Sequence, residues 1–295
     1  MKPDPALDLG ARLGFPPLRA TRLTGGNLNR VHRLHGRDGT AILKVAPPYV
    51  ATNPSIPLDP TRNRHERLAL LRAAEVLGPH RVPAVLGHSD AHHALLLEDL
   101  GPGSPLPLDE AFLHELGLTI GGLHRDTWGD GDRDLANPSM QATRHAIQYS
   151  QVPAWLEALG HDPHLGDPVV DLGVRLRDDP GQCLVMGDLW PGAVHLRPDG
   201  RWALIDWELA HHGRPLQDTA HLRAHLFLLD PDPRWPAAFD AGYREAFPEH
   251  ILSPDGRLHE AAELLARTVG AFPLFPNGDP RIPRTVGRAI EQLAR

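Results

Sequence analysis

Hydrophobic spacing changes character once along this chain, at "EDLGPGSP" near residue 100, and that change restricts the folds open to it. Before it, short runs alternate apolar and polar positions between turns. "RVHRLHG" has the two-residue period of a half-buried strand, "RDG" turns, and "TAILKVA" follows as the next strand. "LRATRLT" precedes them and leads into "GGNLN"; "VPAVLGH" and "HALLLEDL" add two strands around the turn "HSDAHH". One helix interrupts the series at residues 62–77, with Leu68, Leu70, Leu71, Ala74 and Leu77 on its apolar face and Glu66 in its first turn. "PPYVATNPSIPLDP" has no periodicity and reads as a loop.

Beyond residue 100 the helical period takes over. Asp109 is placed to cap a helix running through Arg125, with Phe112, Leu116, Ile120 and Leu123 as its buried stripe. Further helices occupy 140–178, interrupted at Pro153, Pro163 and Pro168, and recur at about 215–229, 236–246, 257–270 and 283–294. Residues 183–206 differ, with two apolar β-like pieces around "RPDGR", a hairpin signal. The pattern predicts an α+β chain. Residues 1–100 form a small antiparallel β lobe with one helix, and residues 101–295 a larger, mainly α lobe. Two lobes joined by a short hinge imply a cleft, a common place for ligands.

At 295 residues and 41% hydrophobic content the chain can bury a core in either lobe. No apolar run approaches the roughly 18 residues of a membrane span, and "MKPDPALDLGARLG" has no signal-peptide pattern. The expectation is a cytoplasmic protein with no membrane partner, monomeric or weakly dimeric. A single cysteine, Cys183, excludes an internal disulfide framework and a Cys-based zinc site. Its apolar surroundings make it a packed thiol. A net charge of −7 lacks the basic footprint of a nucleic-acid binder and tolerates cationic substrates.

Of 30 basic residues only Lys2 and Lys44 are lysine. Lys44 lies inside a β-like run, in a chain that otherwise uses arginine, which suggests that a compact ammonium is needed there. The competing reading is an edge-strand lysine facing water. Glu66 on the next helix can pair with it and aim it at nucleotide phosphates, or can simply complement the helix dipole. The turn "TGGNLNRV" holds Gly25, Gly26, Asn27 and Asn29. Its glycines allow positive φ and close backbone approach, and its N–H groups can point at phosphate oxygens. It is not a P-loop, because no Gly-Lys-Ser/Thr follows.

Asp188 in "VMGDLWPGAVH" and Asp206 in "WALIDWE" each sit at the end of, or just after, an apolar run. A rigid element therefore delivers each carboxylate, and an acid so placed needs a partner or a task. Asp188 can accept a proton from a hydroxyl. Asp206 can bind Mg²⁺, which takes one or two carboxylates plus phosphate oxygens and waters. The alternative is two turn aspartates capping backbone N–H groups. His88, His92 and His93 lack an HExxH pattern and read as a solvated turn, so a histidine–metal hydrolase is set aside. Ser104 and Ser150 have no Gly-x-Ser-x-Gly context. His124 ends an apolar helix face and reads as a packing or hydrogen-bonding residue between lobes.

Taken in order, "GGNLN", "ILK", "HERLALL", "LLLEDL", "TIGGLHRD", "GDLWPG" and "LIDWELAHHGRPLQDTAHL" resemble the aminoglycoside phosphotransferase and choline kinase-like superfamily, including its fructosamine kinase branch, over about residues 18–230. The resemblance implies a protein kinase-like bilobal fold and ATP- and Mg²⁺-dependent phosphorylation of a hydroxyl on a small molecule. That acceptor would be of aminoglycoside, amino alcohol, ketosamine or sugar type. By matching positions, Asn29 lies in the nucleotide loop, Lys44 contacts phosphates and Glu66 holds it. Glu98 to Leu100 form the hinge and offer backbone groups to adenine. Asp188 is the catalytic base, Asp206 the principal metal ligand and Asp218 a structural aspartate. Two positions depart from the family's His-Gly-Asp-x-x-x-x-Asn loop: Met186 replaces the histidine and Ala193 the metal-binding asparagine. Loss of a supporting metal-site partner costs roughly 10–100-fold, while a general base supplies roughly 10²–10⁴-fold. The expected enzyme is therefore slowed rather than abolished, with a water filling the place at position 193; His195, two positions on, reads either as a stand-in or, the favoured reading, as a surface histidine. The alternative is a pseudokinase that binds nucleotide or metabolite without efficient transfer.

Overall fold

A computed structural model describes residues 4–24, 26, 28–131, 133–249, 253–270 and 272–295. The chain divides into two compact units, Met1–Leu106 with Ala193–Ala210, and Pro107–Gly192 with His211–Arg295. The first unit thus extends slightly past residue 100 and recruits a later segment. Backbone bonds explain this: Ser104 and Leu196 exchange N–H···O bonds of 2.9 and 3.0 Å, and Leu204 N–H donates to Arg81 C=O at 2.7 Å.

The first unit opens with α1 (Pro5–Arg12), whose first turn is capped by Asp4 accepting from Ala6 N–H at 2.9 Å. Then follow β1 (Arg19–Arg22), β2 (Arg30–His35), β3 (Thr40–Val45), the short hairpin β4 (Tyr49–Val50) and β5 (Asn53–Pro57), α2 (Arg62–Leu77), β6 (Val85–Ser89) and β7 (Ala94–Glu98). The hairpin lies where the sequence reads as a loop; its prolines hide the period, and the pairing is irregular between Tyr49 and Val50. The main sheet runs β1-β2-β3-β7-β6, all antiparallel. One face buries Leu34, Leu43 and Leu96 against Ala6 of α1. Lys44 adjoins Leu43, so the pleat sends it to the opposite face.

In the second unit, α3 (Glu110–Asp126) starts at Asp109, whose Oδ1 accepts from Phe112 N–H at 2.8 Å. Its buried stripe is Leu113, Leu116, Ile120 and Leu123, while Phe112 is only half-buried. Gly117 of α3 lets the helix at Arg234–Ala246 approach, since a Cβ there would run into the Phe239 carbonyl. Next come α4 (Pro138–Ile147), α5 (Val152–Ala158), α6 (Asp167–Asp178) and β8 (Cys183–Val185). Pro153 and Pro168 start helices rather than interrupt them, as expected where no N–H is needed. The hairpin β9 (Val194–Leu196) and β10 (Trp202–Leu204) belongs to the first unit. The second unit resumes with β11 (His211–Gly213), paired to β8, then α7 (Leu216–Leu229), α8 (Arg234–Ala246), α9 (Gly256–Ala266) and α10 (Arg281–Leu293). Val152, Leu172, Leu228, Leu264 and Ala289 bring five of these helices into one core. Among the described residues, no helix is long and apolar enough to cross a membrane.

Candidate active site

Lys44 lies on an inner strand, excluding the water-facing reading. Its Nζ stands 2.6 Å from Glu66 Oε1 and 2.9 Å from Asp206 Oδ1. Burial disfavours its charge, but Asp206, Glu66 and Glu208 outweigh burial and hold its pKa well above the ordinary lysine value. Glu66 is not in the first turn of α2, which begins at Arg62. It sits one turn further, so the helix-dipole reading loses its basis. Burial raises the Glu66 pKa despite Lys44.

Two neighbours were not singled out from sequence. Arg62 is buried, and its guanidinium reaches Asn29 Oδ1 (3.1 Å) and the carbonyls of Pro47 (2.9 Å), Asp59 (2.9 Å) and Leu28 (2.8 Å). Glu208 accepts from Asn29 Nδ2. Burial and the Asp206 charge push its pKa well above the carboxylate range. Asn29 therefore bonds inward to Arg62 and Glu208. The only sequence signals were their places inside "RNRHE" and "IDWE". Three carboxylates face two cations here, and that surplus adds to burial in raising the Glu208 pKa. The oxygen donors suit a hard divalent cation, with Asp206 and Glu208 as the residues that would hold it. Asp206 has φ 70°, the left-handed region that non-glycine residues rarely occupy. Such strain concentrates at functional sites.

Gly25 and Asn27 lie outside the described residues. Gly26 has no positive φ, contrary to the turn reading, and a Cβ there would meet Val31 at an ordinary 3.7 Å. The Glu98 N–H donates to Ala84 C=O at 2.9 Å and is already engaged. Among the described residues the Leu100 backbone makes no hydrogen bond, so its groups remain available.

In the second unit, Asp188 follows β8 in a loop fixed from below. Asp218, fully buried on α7, accepts from Met186 N–H (2.9 Å) and Gly187 N–H (2.8 Å). His124 Nε2 stands 3.1 Å from Asp218, and its Nδ1 3.0 Å from the Tyr243 hydroxyl. The carboxylate can only accept, so His124 donates to it from Nε2. His124 thus ties together α3, α7 and α8 within one unit, not two lobes. Gly187, with φ 74°, permits the loop's left-handed turn. Asp188 Oδ1 is 2.9 Å from His221 Nε2 and 3.5 Å from Arg267 Nη2. Burial would raise its pKa, but His221 and Arg267 hold it far below the usual carboxylate range. It is a firmly ionised acceptor.

His221 Nδ1 lies 3.6 Å from Glu263 Oε2. Glu263 also meets Arg267 Nε (2.5 Å), Gln148 Nε2 (2.7 Å) and His225 Nε2 (3.0 Å). His221, His225 and Glu263 bring ligand atoms within 4.8 Å of one another. Their carboxylate is already bonded and a guanidinium lies against it, so the group is a polar network rather than a cation site. These residues come from α7 and α9, more than 30 positions past Asp188, and had no local motif to reveal them.

Met186 and Ala193 are fully buried. The loop backbone at Met186 and Gly187 is braced by Asp218. Ala193 brings no ligand atom, and its carbonyl accepts from Ile205 N–H at 2.8 Å. His195 packs its ring against Gly103, and its Nε2 is buried without a partner. Burial and Arg197 lower its pKa. Cys183 is a buried thiol raised by burial, as expected of packing.

A family profile described as "Phosphotransferase enzyme family" matches residues 19–255. No curated protein matches the sequence significantly. Among solved structures, the chain is similar to a candidate fructosamine-3-kinase from Thermobifida fusca. That match has a TM-score of 0.61 and 19% identity and covers 99% of both chains. It is also similar to the choline kinase LicA from Streptococcus pneumoniae, with a TM-score of 0.60, 17% identity, and 94% and 93% coverage. A third is the spectinomycin phosphotransferase APH(9)-Ia, in complex with ADP and spectinomycin, with a TM-score of 0.58, 12% identity, and 98% and 96% coverage.

Proposed function

The chain belongs to the phosphotransferase enzyme family, and on that premise we propose that it transfers the γ-phosphoryl group of MgATP to a hydroxyl of a small molecule. The observation that carries this reading is the buried Lys44 held by Glu66 and Asp206. One compact ammonium flanked by carboxylates suits a lysine aimed at phosphate oxygens and an aspartate aimed at a metal. The spectinomycin phosphotransferase, with its bound ADP, supports nucleotide use by analogy. The reaction belongs in the cytoplasm, where MgATP is available.

In this reading the first unit binds nucleotide, with Lys44 on the phosphates and Leu100 offering backbone groups to the base. Asp206 and Glu208 would hold Mg²⁺, which would supply charge neutralisation at the phosphate oxygens. Asp188 orients the acceptor hydroxyl. The hydroxyl oxygen bonds to the γ-phosphorus as the bond to the β-phosphate oxygen breaks, ADP leaves, and the hydroxyl proton passes to Asp188. Because His221 and Arg267 keep Asp188 strongly acidic, it accepts that proton late. Positioning is its larger contribution, as befits a loose phosphoryl transition state.

Ala193 favours a second reading, a pseudokinase, because it supplies no ligand at a metal position. Thermal shift with MgATP, followed by ADP release against hydroxylated amines, sugars and sugar acids, separates the two. Turnover that Asp188→Ala reduces by roughly 10²–10⁴-fold supports the enzyme. Binding without turnover, unchanged in Asp188→Ala, supports the pseudokinase. If nucleotide binding is missing and Lys44→Ala changes nothing, both readings fail.

A further inference from the structure

A cavity of about 270 Å³ lies within the second unit, at the small end of the range for small-molecule sites. Its wall carries Arg223 of α7, Arg244 of α8, Arg257 of α9, Arg288 of α10 and Arg295 just beyond, against one acid, Glu260 of α9. None of these residues takes part in the reaction described above. The helical period sets the cavity apart from Asp188. Leu216, Thr219, Ala220 and Arg223 line it and recur along α7 at three- and four-residue steps. Asp218, His221 and His225, which meet the Asp188 loop, Asp188 itself and Glu263, recur in the same way about half a turn around that helix.

The arginines are held in place but share few acids. Glu260 is buried and accepts from Arg288 Nε and Nη2 at 3.1 Å each and from Gln292 Nε2 at 2.9 Å. Its other oxygen lies 3.7 Å from Arg223 Nε. Asp240 meets Arg223 at 2.9 Å and Arg244 at 3.8 Å, and the exposed Glu291 stands 3.8 Å from Arg288. Arg257 meets no carboxylate; among the described residues its Nη1 donates to the Gln292 carbonyl at 2.6 Å. Asp255, at the start of α9, is taken by Arg175 at 2.9 Å. The guanidiniums are partly open to water, so none is stranded. What the cavity offers is positive donors converging on one space, with Glu260 and Gln292 fixing their directions.

We propose that this cavity is a second ligand site and that it takes a small phosphate monoester. A phosphate dianion presents three oxygens in different directions, and guanidinium forks arriving from four helices suit it better than they suit a planar carboxylate. Thr219 and Ser253 offer hydroxyls to the rest of the ester, and Leu216, Ala220 and Pro254 give its carbons an apolar wall. A bound ester would tie α7, α8, α9 and α10 together without meeting Asp188. The site stands whether or not the chain transfers phosphate.

Calorimetry on the full chain, without nucleotide, compares ribose 5-phosphate with ribose and glycerol 3-phosphate with glycerol. At least one ester should bind once per chain, more tightly than its neutral parent, and should raise the melting temperature. Arg257→Gln should weaken that ester by about 10–100-fold, as expected for one charge-assisted partner. Arg257→Lys should recover part of the loss. Because Arg257 also holds the Gln292 carbonyl, Arg244→Glu serves as a second variant. Arg244 is exposed, and reversing its charge should weaken the ester by about tenfold or more. Asp188→Asn, and the paired Lys44→Met, Glu66→Met variant, should bind the ester as wild type does.

Failure of both esters to bind wild type overturns the proposal, as does a neutral parent that binds equally well. So does an ester that Arg257→Gln and Arg244→Glu both bind at wild-type affinity. Loss of binding in Asp188→Asn or in the paired Lys44 and Glu66 variant would place the ester at the catalytic residues and overturn the proposal equally.

Discussion

Lys44→Met makes the sharpest structural prediction. It removes the ammonium from a position where Glu66 is almost wholly buried and Glu66 Oε2 already has no hydrogen-bond partner. Breaking one side of a buried pair costs about 3–5 kcal/mol, because the surviving charge is stranded. Glu66 can escape by taking up a proton. Its pKa is raised even with Lys44 present, since burial dominates, and losing the ammonium raises it further. In the variant the folded state then binds more protons than the unfolded state, where glutamate titrates near its ordinary value. Stability of the variant therefore falls as pH rises, and the deficit relative to wild type should be larger at pH 8 than at pH 5. Adding Glu66→Met removes the stranded charge and should recover most of the stability while leaving phosphotransfer abolished. Urea denaturation at both pH values, monitored by circular dichroism, measures the stabilities, and ADP release measures the transfer. If Lys44→Met is as stable as wild type, or if the double variant is no better than the single, the account of this pair is wrong.

Asp218→Ala strands two loop N–H groups and the His124 donor, each costing about 1–3 kcal/mol, so it should lose roughly 3 kcal/mol or more by denaturation; a smaller loss would mean that the loop is held elsewhere. Burial, opposed by Glu263, lowers the His225 pKa to about 4 against 6.5 unfolded, so the unfolded state holds more protons between those values. Stability should therefore decline as pH drops from 6.5 to 4, by up to about 3 kcal/mol from this residue, and His225→Gln should flatten the slope. Equal slopes in the two proteins would contradict this. Ala193→Asn forces a larger side chain into a fully buried position and should cost about 1–3 kcal/mol in urea denaturation. The same variant should bind Mg²⁺ more tightly in a nucleotide-dependent titration, and unchanged Mg²⁺ affinity would show that position 193 is not a ligand position.

The strands around Lys44, the cap at Asp109 and the hairpin at 194–204 could all be read from local pattern, because period, turn residues and capping side chains act over a few positions. Reading failed where the cause is tertiary. The β4–β5 hairpin has too many prolines to show a period. Glu66, four positions past the helix start at Arg62, takes its role from Lys44 across the fold and not from its place in the helix. Residues 193–210 join the first unit through backbone bonds to Ser104 and Arg81 that no composition shift announces. For the site, Lys44, Asp188 and Asp206 stood out because each is a charge next to an apolar run. Arg62, Glu208, His221, Glu263 and Arg267 did not, because ordinary-looking helical or turn charges acquire meaning only through partners distant in sequence.

The most direct test of the central claim is single-turnover transfer from γ-labelled MgATP to an acceptor that the wild-type protein turns over, comparing wild type with Asp188→Asn. Label should appear in a phosphate ester of the acceptor. Asp188→Asn should slow that step by roughly 10²–10⁴-fold while nucleotide affinity is retained. Label found only in inorganic phosphate, or an Asp188→Asn protein that transfers at the wild-type rate, would contradict the claim.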